Sequence, residues 1–295
     1  MMDRRDFVRV LAGAAGASAI SSSVSGTTVG AANRARALAA SGIGGHSASE
    51  RPVGIQLYTV RRVMNQAPAQ TLEALAEIGY REVQTAGLYG KSAREFRAML
   101  DASGLTAPSA HIGLNALRTQ LEQTLDDAEL LGYRWIIVPS LDQKDRTLSA
   151  LTAVADEFNR IAEVVQKRGL RFGYHNHDFE FMPQNGTVPF DLLLERTHPA
   201  LVHFELDLFW LRKGGRDPLP LFAKHPGRFP SVHVKDMAAD GTMVNVGEGF
   251  IDFAGIFAQA RIAGVQHYFV EHDNPAQPLR DVGVSFRAMG RLLGE

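Results

Sequence analysis

Four short stretches in the second half of the chain are rich in histidine and carboxylate side chains, the groups that bind divalent metals when no thiolate is present. They are residues 174–180 (YHNHDFE), 205–207 (ELD), 233–236 (HVKD) and 271–273 (EHD). The chain contains no cysteine, so thiolate metal sites and disulfides are both excluded. The mixture of imidazole and carboxylate groups indicates a site for a divalent ion, which would polarise an oxygen of a bound substrate.

Each of these stretches stands at the end of a run typical of a β-strand, and such runs occur eight times along the chain. The predicted strands are residues 53–59, 82–86, 106–111, 135–139, 171–175, 202–207, 231–235 and 268–271. Helical patterns separate them at a spacing of roughly thirty residues, as right-handed βα units require. Because the C-terminal ends of parallel barrel strands meet at one mouth, we expect the four stretches to form one site.

The segments between the predicted strands are amphipathic helices, most clearly residues 148–165 and 117–131, where apolar side chains recur at three- and four-residue spacing. Five glycines follow helical patterns shortly before a strand, as left-handed C-caps do: Gly79, Gly104, Gly132, Gly169 and Gly264. A doubly wound sheet would need a glycine-rich phosphate loop after its first strand, and residues 55–60 (IQLYTV) contain none. We therefore predict an α/β fold, a single (β/α)8 TIM barrel.

The N-terminus has the pattern of an export signal. Arg4 and Arg5 precede an apolar run of small residues at positions 10–20, which contains an Ala-x-Ala cleavage pattern at positions 17–19 (ASA). The run is shorter than the ~20 residues that a membrane-spanning helix needs. The pattern predicts a twin-arginine signal peptide over residues 1–20, export to the periplasm or beyond, and no membrane anchor after processing. A disordered tail with two unrelated arginines is the alternative.

Residues 21–50 are rich in Ser, Gly and Ala, so they cannot bury enough apolar surface to offset the entropy of ordering, and a disordered linker is predicted. The catalytic barrel is predicted to occupy residues 51–295, close to the ~250 residues typical of this fold. Lys and Arg together number 31 and Asp and Glu 32, so no basic excess predicts nucleic-acid binding. A small sugar or keto-sugar is the expected partner, and the oligomeric state stays open.

Residues 53–295 resemble the sugar phosphate isomerase/epimerase-like, xylose-isomerase-type TIM barrels, a family that includes ketose 3-epimerases and inosose dehydratase. The resemblance is carried by residues 54–61 (GIQLYTVR), 174–181 (YHNHDFEF), 205–207 (ELD), 233–236 (HVKD), 246–249 (VGEG) and 270–272 (VEH). It implies that one divalent ion is held by groups from the last four strands: His175, Asp207, His233 and Glu271. Mn2+ is the first choice, with Mg2+, Co2+ or Zn2+ as alternatives, because two imidazoles shift the preference away from Mg2+.

Two positions depart from the family pattern. The fifth-strand ligand position holds His175 where the family usually has glutamate, and Trp210 stands where ketose epimerases often have histidine. His177 is the alternative ligand from the same strand end. In the paired-glutamate mechanism that the resemblance implies, two bases act on opposite faces of one carbon, and this chain lacks one of the two glutamates.

Glu271 is the predicted catalytic base. Glu180 would be a second base if the loop after the fifth strand folds inward, and His177 is another candidate. Lys235 is predicted to contact an oxyanion or to transfer a proton. Glu205 is expected to be a buried acid that supports the ligands. The predicted substrate contacts are Gln56, Tyr58, His111 and Trp210.

The first functional prediction is a divalent-metal-dependent sugar isomerase or epimerase, which would act through a metal-stabilised enediolate. The alternative is a lyase or dehydratase that carries out β-elimination on a 3-keto-glycoside or an inosose, and export favours it. A further alternative is a non-catalytic sugar-binding barrel. Gly247 and Gly249 resemble a phosphate loop, but such a turn is more often simple loop geometry. No basic cluster accompanies it, so a phosphorylated substrate is not expected.

Overall fold

The computed structural model describes residues 53–294, and the predicted signal peptide and linker, residues 1–20 and 21–50, lie outside them. Eight parallel strands form a closed barrel in which each strand pairs with its neighbours in sequence and the first pairs with the last. The strands are β1 Val53–Gln56, β2 Glu82–Ala86, β3 Thr106–His111, β4 Trp135–Val138, β5 Arg171–His175, β6 Val202–Asp207, β7 Ser231–Val234 and β8 His267–Val270. The predicted single (β/α)8 barrel is confirmed.

Helices surround the barrel and alternate with the strands. They are α1 Arg61–Met64, α2 Pro68–Ile78, α3 Ala93–Ser103, α4 Leu114–Thr119, α5 Leu121–Leu131, α6 Leu148–Lys167, α7 Pro189–Arg196, α8 Leu208–Lys213, α9 Pro218–Lys224, α10 Phe253–Ala258, α11 Ala260–Ala263 and α12 Pro278–Leu293. The loops contain short 3-10 helices at Leu57–Val60, Gln143–Asp145 and Phe179–Phe181, and a hairpin of Asp236–Met237 with Met243–Val244. Within residues 53–294, no helix is long and apolar enough to cross a membrane.

Two predicted elements differ from the observed ones by three residues or more. β1 stops at Gln56, because the Gln56 side chain accepts a hydrogen bond from the Tyr58 backbone N–H and caps the 3-10 helix that follows. The helix predicted over residues 117–131 is two helices, α4 and α5, because the Gln120 backbone leaves the helical region (φ −141°, ψ 36°). The other strand boundaries agree with the prediction to within one residue. All five predicted C-cap glycines have positive φ.

The two faces of each strand have different surroundings. Outward-facing side chains pack under the helices, as where Phe158 of α6 contacts Phe172 and Tyr174 of β5 at ring-centroid distances of 5.3 and 5.5 Å. This layer is apolar and buried, and removal of its surface from water drives the folding of the barrel. Residues two apart along a strand share a face. The alternation therefore puts His175 on the opposite face of β5 from Tyr174.

Two glycines make room for an apolar floor beneath the barrel mouth. A Cβ atom on Gly54 would lie 2.5 Å from Phe269 Cδ1, and one on Gly173 would lie 2.7 Å from Ile137 Cδ1. The Phe269 ring in turn lies 6.2 Å from the ring of His233. Buried apolar side chains in the barrel interior lower the local dielectric, so buried charges near them interact strongly.

One buried carboxylate holds the loop after β7. Asp236 Oδ2 accepts hydrogen bonds from the backbone N–H groups of Gly247 (2.9 Å) and Gly249 (3.0 Å), and Asp236 Oδ1 accepts them from Met237 (2.8 Å) and Ile251 (3.3 Å). A Cβ atom on Gly249 would lie 2.2 Å from Asp236 Oδ1, so only glycine fits there. The N–H groups that a phosphate would need in this turn are already paired with an internal anion. The turn therefore serves the loop, in line with the expectation of simple loop geometry.

Candidate metal centre and active site

The four predicted metal ligands lie together at the C-terminal mouth of the barrel. His175 ends β5, Asp207 ends β6, His233 lies in β7 and Glu271 follows β8. One ligand atom from each lies within 4.8 Å of the others, and all four side chains are buried. His175 Nε2 is 3.7 Å from Asp207 Oδ2, and His233 Nδ1 is 2.5 Å from Glu271 Oε2. These residues form a candidate metal-binding cluster, called the ligand set below.

The donor chemistry of the ligand set fits a divalent cation. Asp207 Oδ1 accepts a hydrogen bond from the Trp210 backbone N–H (2.8 Å), which caps α8. Asp207 Oδ2 is buried and accepts no hydrogen bond from any residue that the structure describes. Burial raises the pKa of Asp207 to about 6, and the neighbouring Lys235 partly offsets that rise. A buried carboxylate oxygen without a hydrogen bond needs a compensating cation. In the ion-free protein that cation is Lys235, whose Nζ atom lies 3.0 Å from Oδ2, and a bound divalent ion would serve the same purpose.

Lys235 extends from β7 into the same acidic group. Its Nζ atom lies 3.0 Å from Asp207 Oδ2, 2.8 Å from Glu271 Oε2 and 2.9 Å from Asp273 Oδ1. Burial opposes the charged form of Lys235, but the three carboxylates outweigh it and raise its pKa above the ordinary value. Burial alone would raise the pKa of Glu271, but Lys235 and His233 hold it well below its usual value. Lys235 is therefore an ammonium and Glu271 a carboxylate at neutral pH.

Below the ligand set, three imidazoles converge on one oxygen of Glu205. Glu205 Oε1 lies 2.7 Å from His111 Nε2, 2.9 Å from His233 Nε2 and 3.3 Å from His175 Nδ1. Burial alone would raise the pKa of Glu205, but His233 and the other imidazoles hold it well below its usual value. Burial likewise opposes protonation of His233, but Glu205 and Glu271 raise its pKa to about 10. Glu205 thus orients His175 and His233, so that one ring nitrogen of each faces Glu205 and the other ring nitrogen faces the mouth.

The second oxygen of Glu205 also accepts hydrogen bonds from buried side chains. Glu205 Oε2 accepts hydrogen bonds from Gln84 Nε2 (2.7 Å) and Ser231 Oγ (2.8 Å). Gln84 Nε2 also donates to Ser109 Oγ (2.8 Å), and Gln84 Oε1 accepts from Gln56 Nε2 (2.5 Å). Although His111, His175, Glu205 and His233 also have metal-ligand spacing, both oxygens of this acid already have donors. This lower group is therefore a hydrogen-bonded support for the ligand set.

Sequence reasoning missed Gln84, which joins Glu205 to the first three strands. The available signal was a polar amide inside β2, a position that apolar residues usually occupy. Gln56, a predicted substrate contact, is fully buried and uses its amide on Gln84 and on the Tyr58 backbone. The structure therefore places Gln56 in the support, beneath the mouth. Tyr58 is 44% exposed, and the Arg61 guanidinium lies 3.9 Å from its ring centroid.

Glu180, predicted as a second base, does not join the ligand set. Its Oε1 atom accepts a hydrogen bond from the Tyr174 hydroxyl, and its Oε2 atom accepts one from the His177 backbone N–H (2.8 Å). Because Tyr174 faces α6 on the outer side of β5, the loop folds outward at Glu180 instead of inward. Burial raises the pKa of Glu180 to about 7, while the two hydrogen bonds partly offset that rise. Glu180 anchors the loop.

His177 and Trp210 line the mouth beside the ligand set. The His177 ring is 5.2 Å from the His175 ring and 5.5 Å from the Trp210 ring. Burial lowers the pKa of His177 to about 3, so its imidazole is neutral. Lys235 Nζ is 5.8 Å from the Trp210 ring centroid. The His111 ring stacks on the His233 ring at a centroid distance of 5.1 Å. The structure therefore brings three of the predicted substrate-contact and base residues near the ligand set: His111, His177 and Trp210.

The fold and the geometry of its mouth agree with a match to a known family. Residues 72–285 match the xylose isomerase-like TIM barrel family, and the chain belongs to this family.

Named relatives include a curated protein and two solved structures. The chain is 29% identical over 231 residues to an inosose dehydratase from Geobacillus kaustophilus. The matched region covers 64% of this chain and 74% of the relative. A sugar phosphate isomerase/epimerase from Parabacteroides distasonis superposes with a TM-score of 0.70 at 25% identity, over 80% of this chain and 94% of that one. A xylose isomerase-like TIM barrel protein from Mycobacterium smegmatis, in complex with magnesium, superposes with a TM-score of 0.63 at 14% identity, over 84% of this chain and 98% of that one. The last likeness shows the fold alone.

Replacement of Glu205 by Gln is expected to weaken metal binding about 10- to 100-fold while the fold is kept, because His175 and His233 lose the carboxylate that orients them. Calorimetric titration with Mn2+ and Zn2+ measures the affinity. Glu82→Gln is the matched control, since it changes a carboxylate that accepts a hydrogen bond from His267 Nδ1 (2.8 Å) at the opposite end of the barrel. Equal affinities in the two variants would contradict the role of Glu205.

Replacement of Glu180 by Gln tests the pKa shift at that buried acid. The folded pKa is about 7 and the ordinary value is 4.5, so the native state binds this proton more tightly. Wild-type stability is therefore lost as pH rises between these two values, whereas Gln cannot ionise. Relative to wild type, Glu180→Gln should gain about 2 kcal/mol between about pH 5 and about pH 8. Urea unfolding with a chelator present measures it, and a constant difference would show that Glu180 is not shifted.

Proposed function

We propose that the protein is a divalent-metal-dependent carbon–oxygen lyase that eliminates water or an alcohol from a cyclic keto sugar or keto-polyol. The observation that carries this proposal is the presence of one carboxylate base, Glu271, and one ammonium, Lys235, together at the mouth of the barrel. β-Elimination needs one base for the proton next to a ketone and one cation for the charge that develops on oxygen.

Glu271 has one oxygen available for this work. Both of its protein partners, His233 Nδ1 and Lys235 Nζ, contact Oε2. In the described part of the chain, Glu271 Oε1 has no hydrogen-bond donor. Since the carboxylate stays ionised at neutral pH, Oε1 is the proposed acceptor for the proton on the carbon beside the keto group.

Glu271 both takes up and returns the proton that the elimination transfers. Glu271 takes the proton from the carbon next to the ketone, and the electron pair of that C–H bond forms the new carbon–carbon double bond. The C–O bond at the next carbon breaks, and the departing oxygen receives the proton from Glu271 and leaves as water or an alcohol. Lys235 meets the negative charge on the keto oxygen during this step.

The metal proposal rests on the ligand set. His175, Asp207, His233 and Glu271 would hold the ion, which when bound polarises the substrate carbonyl and acidifies the neighbouring C–H bond. Two imidazoles among the donors favour Mn2+, Co2+ or Zn2+ over Mg2+, so Mn2+ remains the first choice. One fold neighbour is a magnesium complex, so Mg2+ is the alternative ion to compare with Mn2+.

The names of relatives and the wall of the mouth support a cyclic substrate. The Geobacillus kaustophilus relative is named for the dehydration of an inosose, a cyclic keto-polyol. Trp210 gives the mouth an aromatic face beside Lys235, which also suits the ring or the aglycone of a 3-keto-glycoside.

A sugar isomerase or epimerase is the second candidate, and the name of the Parabacteroides distasonis structure favours it. An epimerase needs a second base on the other face of the reacting carbon. Glu180 faces away, and the remaining candidate, His177, is an imidazole beside Trp210 instead of a second carboxylate. The mouth thus lacks the second glutamate of the epimerase mechanism, which favours elimination.

Product analysis separates the two candidates. The metal-loaded enzyme is incubated in D2O with inososes, 3-keto-glycosides and free ketoses, and products are followed by mass spectrometry. The lyase releases water or an alcohol, whereas an isomerase conserves mass and places deuterium on carbon. Glu271→Gln should lower kcat about 10²-fold or more, and Glu248→Gln, an exposed acid in the next loop, should not. Mass-conserving conversion alone would remove the lyase proposal and favour the isomerase.

We also propose that the protein is exported by the twin-arginine route, to a compartment where oxidised glycosides would be its substrates. The proposal rests on Arg4, Arg5 and the apolar run at positions 10–20. Changing both arginines to Lys should leave the precursor in the cytoplasm, because the route recognises the paired guanidinium groups and not charge alone. Cell fractionation with an antibody measures this, and unchanged delivery would disprove it.

A further inference from the structure

Lys235 binds the oxygens with which the ligand set would hold a metal. Its Nζ atom contacts Asp207 Oδ2 and Glu271 Oε2, which are the carboxylate oxygens that face the ligand-set imidazoles. The Lys235 side chain is 2% exposed, so its charge is compensated almost entirely by protein groups. An ammonium and a divalent ion that share two oxygens above an apolar floor repel each other strongly.

Asp273 offers the ammonium a different partner. Asp273 Oδ1 lies 2.9 Å from Lys235 Nζ, and the Asp273 side chain is 28% exposed, far more than those of Asp207 and Glu271. The Asp273 backbone is fixed, because its carbonyl accepts a hydrogen bond from Arg61 Nη1 at 2.6 Å. Lys235 can therefore give up two buried carboxylates and still keep an ion pair with Asp273 toward the rim of the mouth.

We infer that Lys235 is an internal counter-ion that competes with the divalent metal for Asp207 and Glu271, and that metal binding moves its ammonium to Asp273. In the ion-free protein, the ammonium compensates buried carboxylates that would otherwise destabilise the fold. In the metal-bound protein, the released ammonium faces the mouth, where the oxygen of a substrate arrives. The inference deepens the proposed function and rests on the ligand set as its metal site.

A purely structural role for the Lys235 salt bridges predicts the opposite change in metal affinity when Lys235 is removed. If Lys235 only held the site in shape, its removal would loosen the ligands and weaken metal binding. Competition predicts that its removal tightens metal binding, although the ion-free protein becomes less stable. The sign of the change in affinity therefore distinguishes the two roles, independently of activity.

The experiment compares Lys235→Met with wild type after chelation, by calorimetric titration with Mn2+ and Zn2+ and by thermal unfolding. Lys235→Met should bind Mn2+ at least about tenfold more tightly, because the competing charge is gone. It should unfold at a lower temperature without metal and show a larger metal-induced rise in Tm. The matched control is Lys213→Met, which removes an exposed ammonium that is 5.0 Å from the Trp210 ring centroid and has no carboxylate partner in the described residues.

A second variant keeps the test decisive if Lys235→Met does not fold. Asp273→Asn removes the partner of the displaced ammonium, so it should weaken Mn2+ binding severalfold and leave the fold intact. Unchanged or weaker Mn2+ and Zn2+ binding by Lys235→Met, or unchanged binding by Asp273→Asn, would overturn the inference while the metal site stands. If wild type binds neither ion, the proposed metal site fails and the inference fails with it.

Discussion

The Glu205 carboxylate lies at the centre of the barrel mouth with no exposed surface and is contacted by side chains from four other strands. Its partners are Gln84, His111, His175, Ser231 and His233. A buried carboxylate must be surrounded by donors, so its burial dictates the direction in which each of these side chains points. Since two of them are also in the ligand set, the geometry offered to a metal depends on an acid that contacts no substrate.

Above Glu205, the site balances its charges internally. The carboxylates of Asp207, Glu271 and Asp273 surround a single ammonium, Lys235, over an apolar floor. Such a site is ordered by its own ion pairs, because unpaired charges are unfavourable at low dielectric. The same ion pairs limit how tightly Asp207 and Glu271 can bind an external cation. Ion pairs that order the empty site therefore lower its affinity for a metal.

The barrel and the ligand set were predictable from the sequence because they depend on local patterns. Each strand shows its own run of apolar residues, and parallel strand ends must meet, so His175, Asp207, His233 and Glu271 had to lie close together. The support was not predictable, because Gln84 and Glu205 are 121 residues apart and meet only through the register of the barrel. Glu180 was misplaced because the side chain of Tyr174, on the outer face of its strand, draws the loop outward.

The loop after β7 bears on which ligands this barrel can accept. TIM barrels commonly capture phosphate with backbone N–H groups in the loops after the seventh and eighth strands. Here the N–H groups of Gly247 and Gly249 converge on Asp236, an anion that the chain itself carries. A phosphorylated ligand would have to displace a covalently attached competitor. A change to phosphorylated ligands at this loop would therefore require removal of the internal anion, whereas the backbone N–H groups that bind phosphate are already in place.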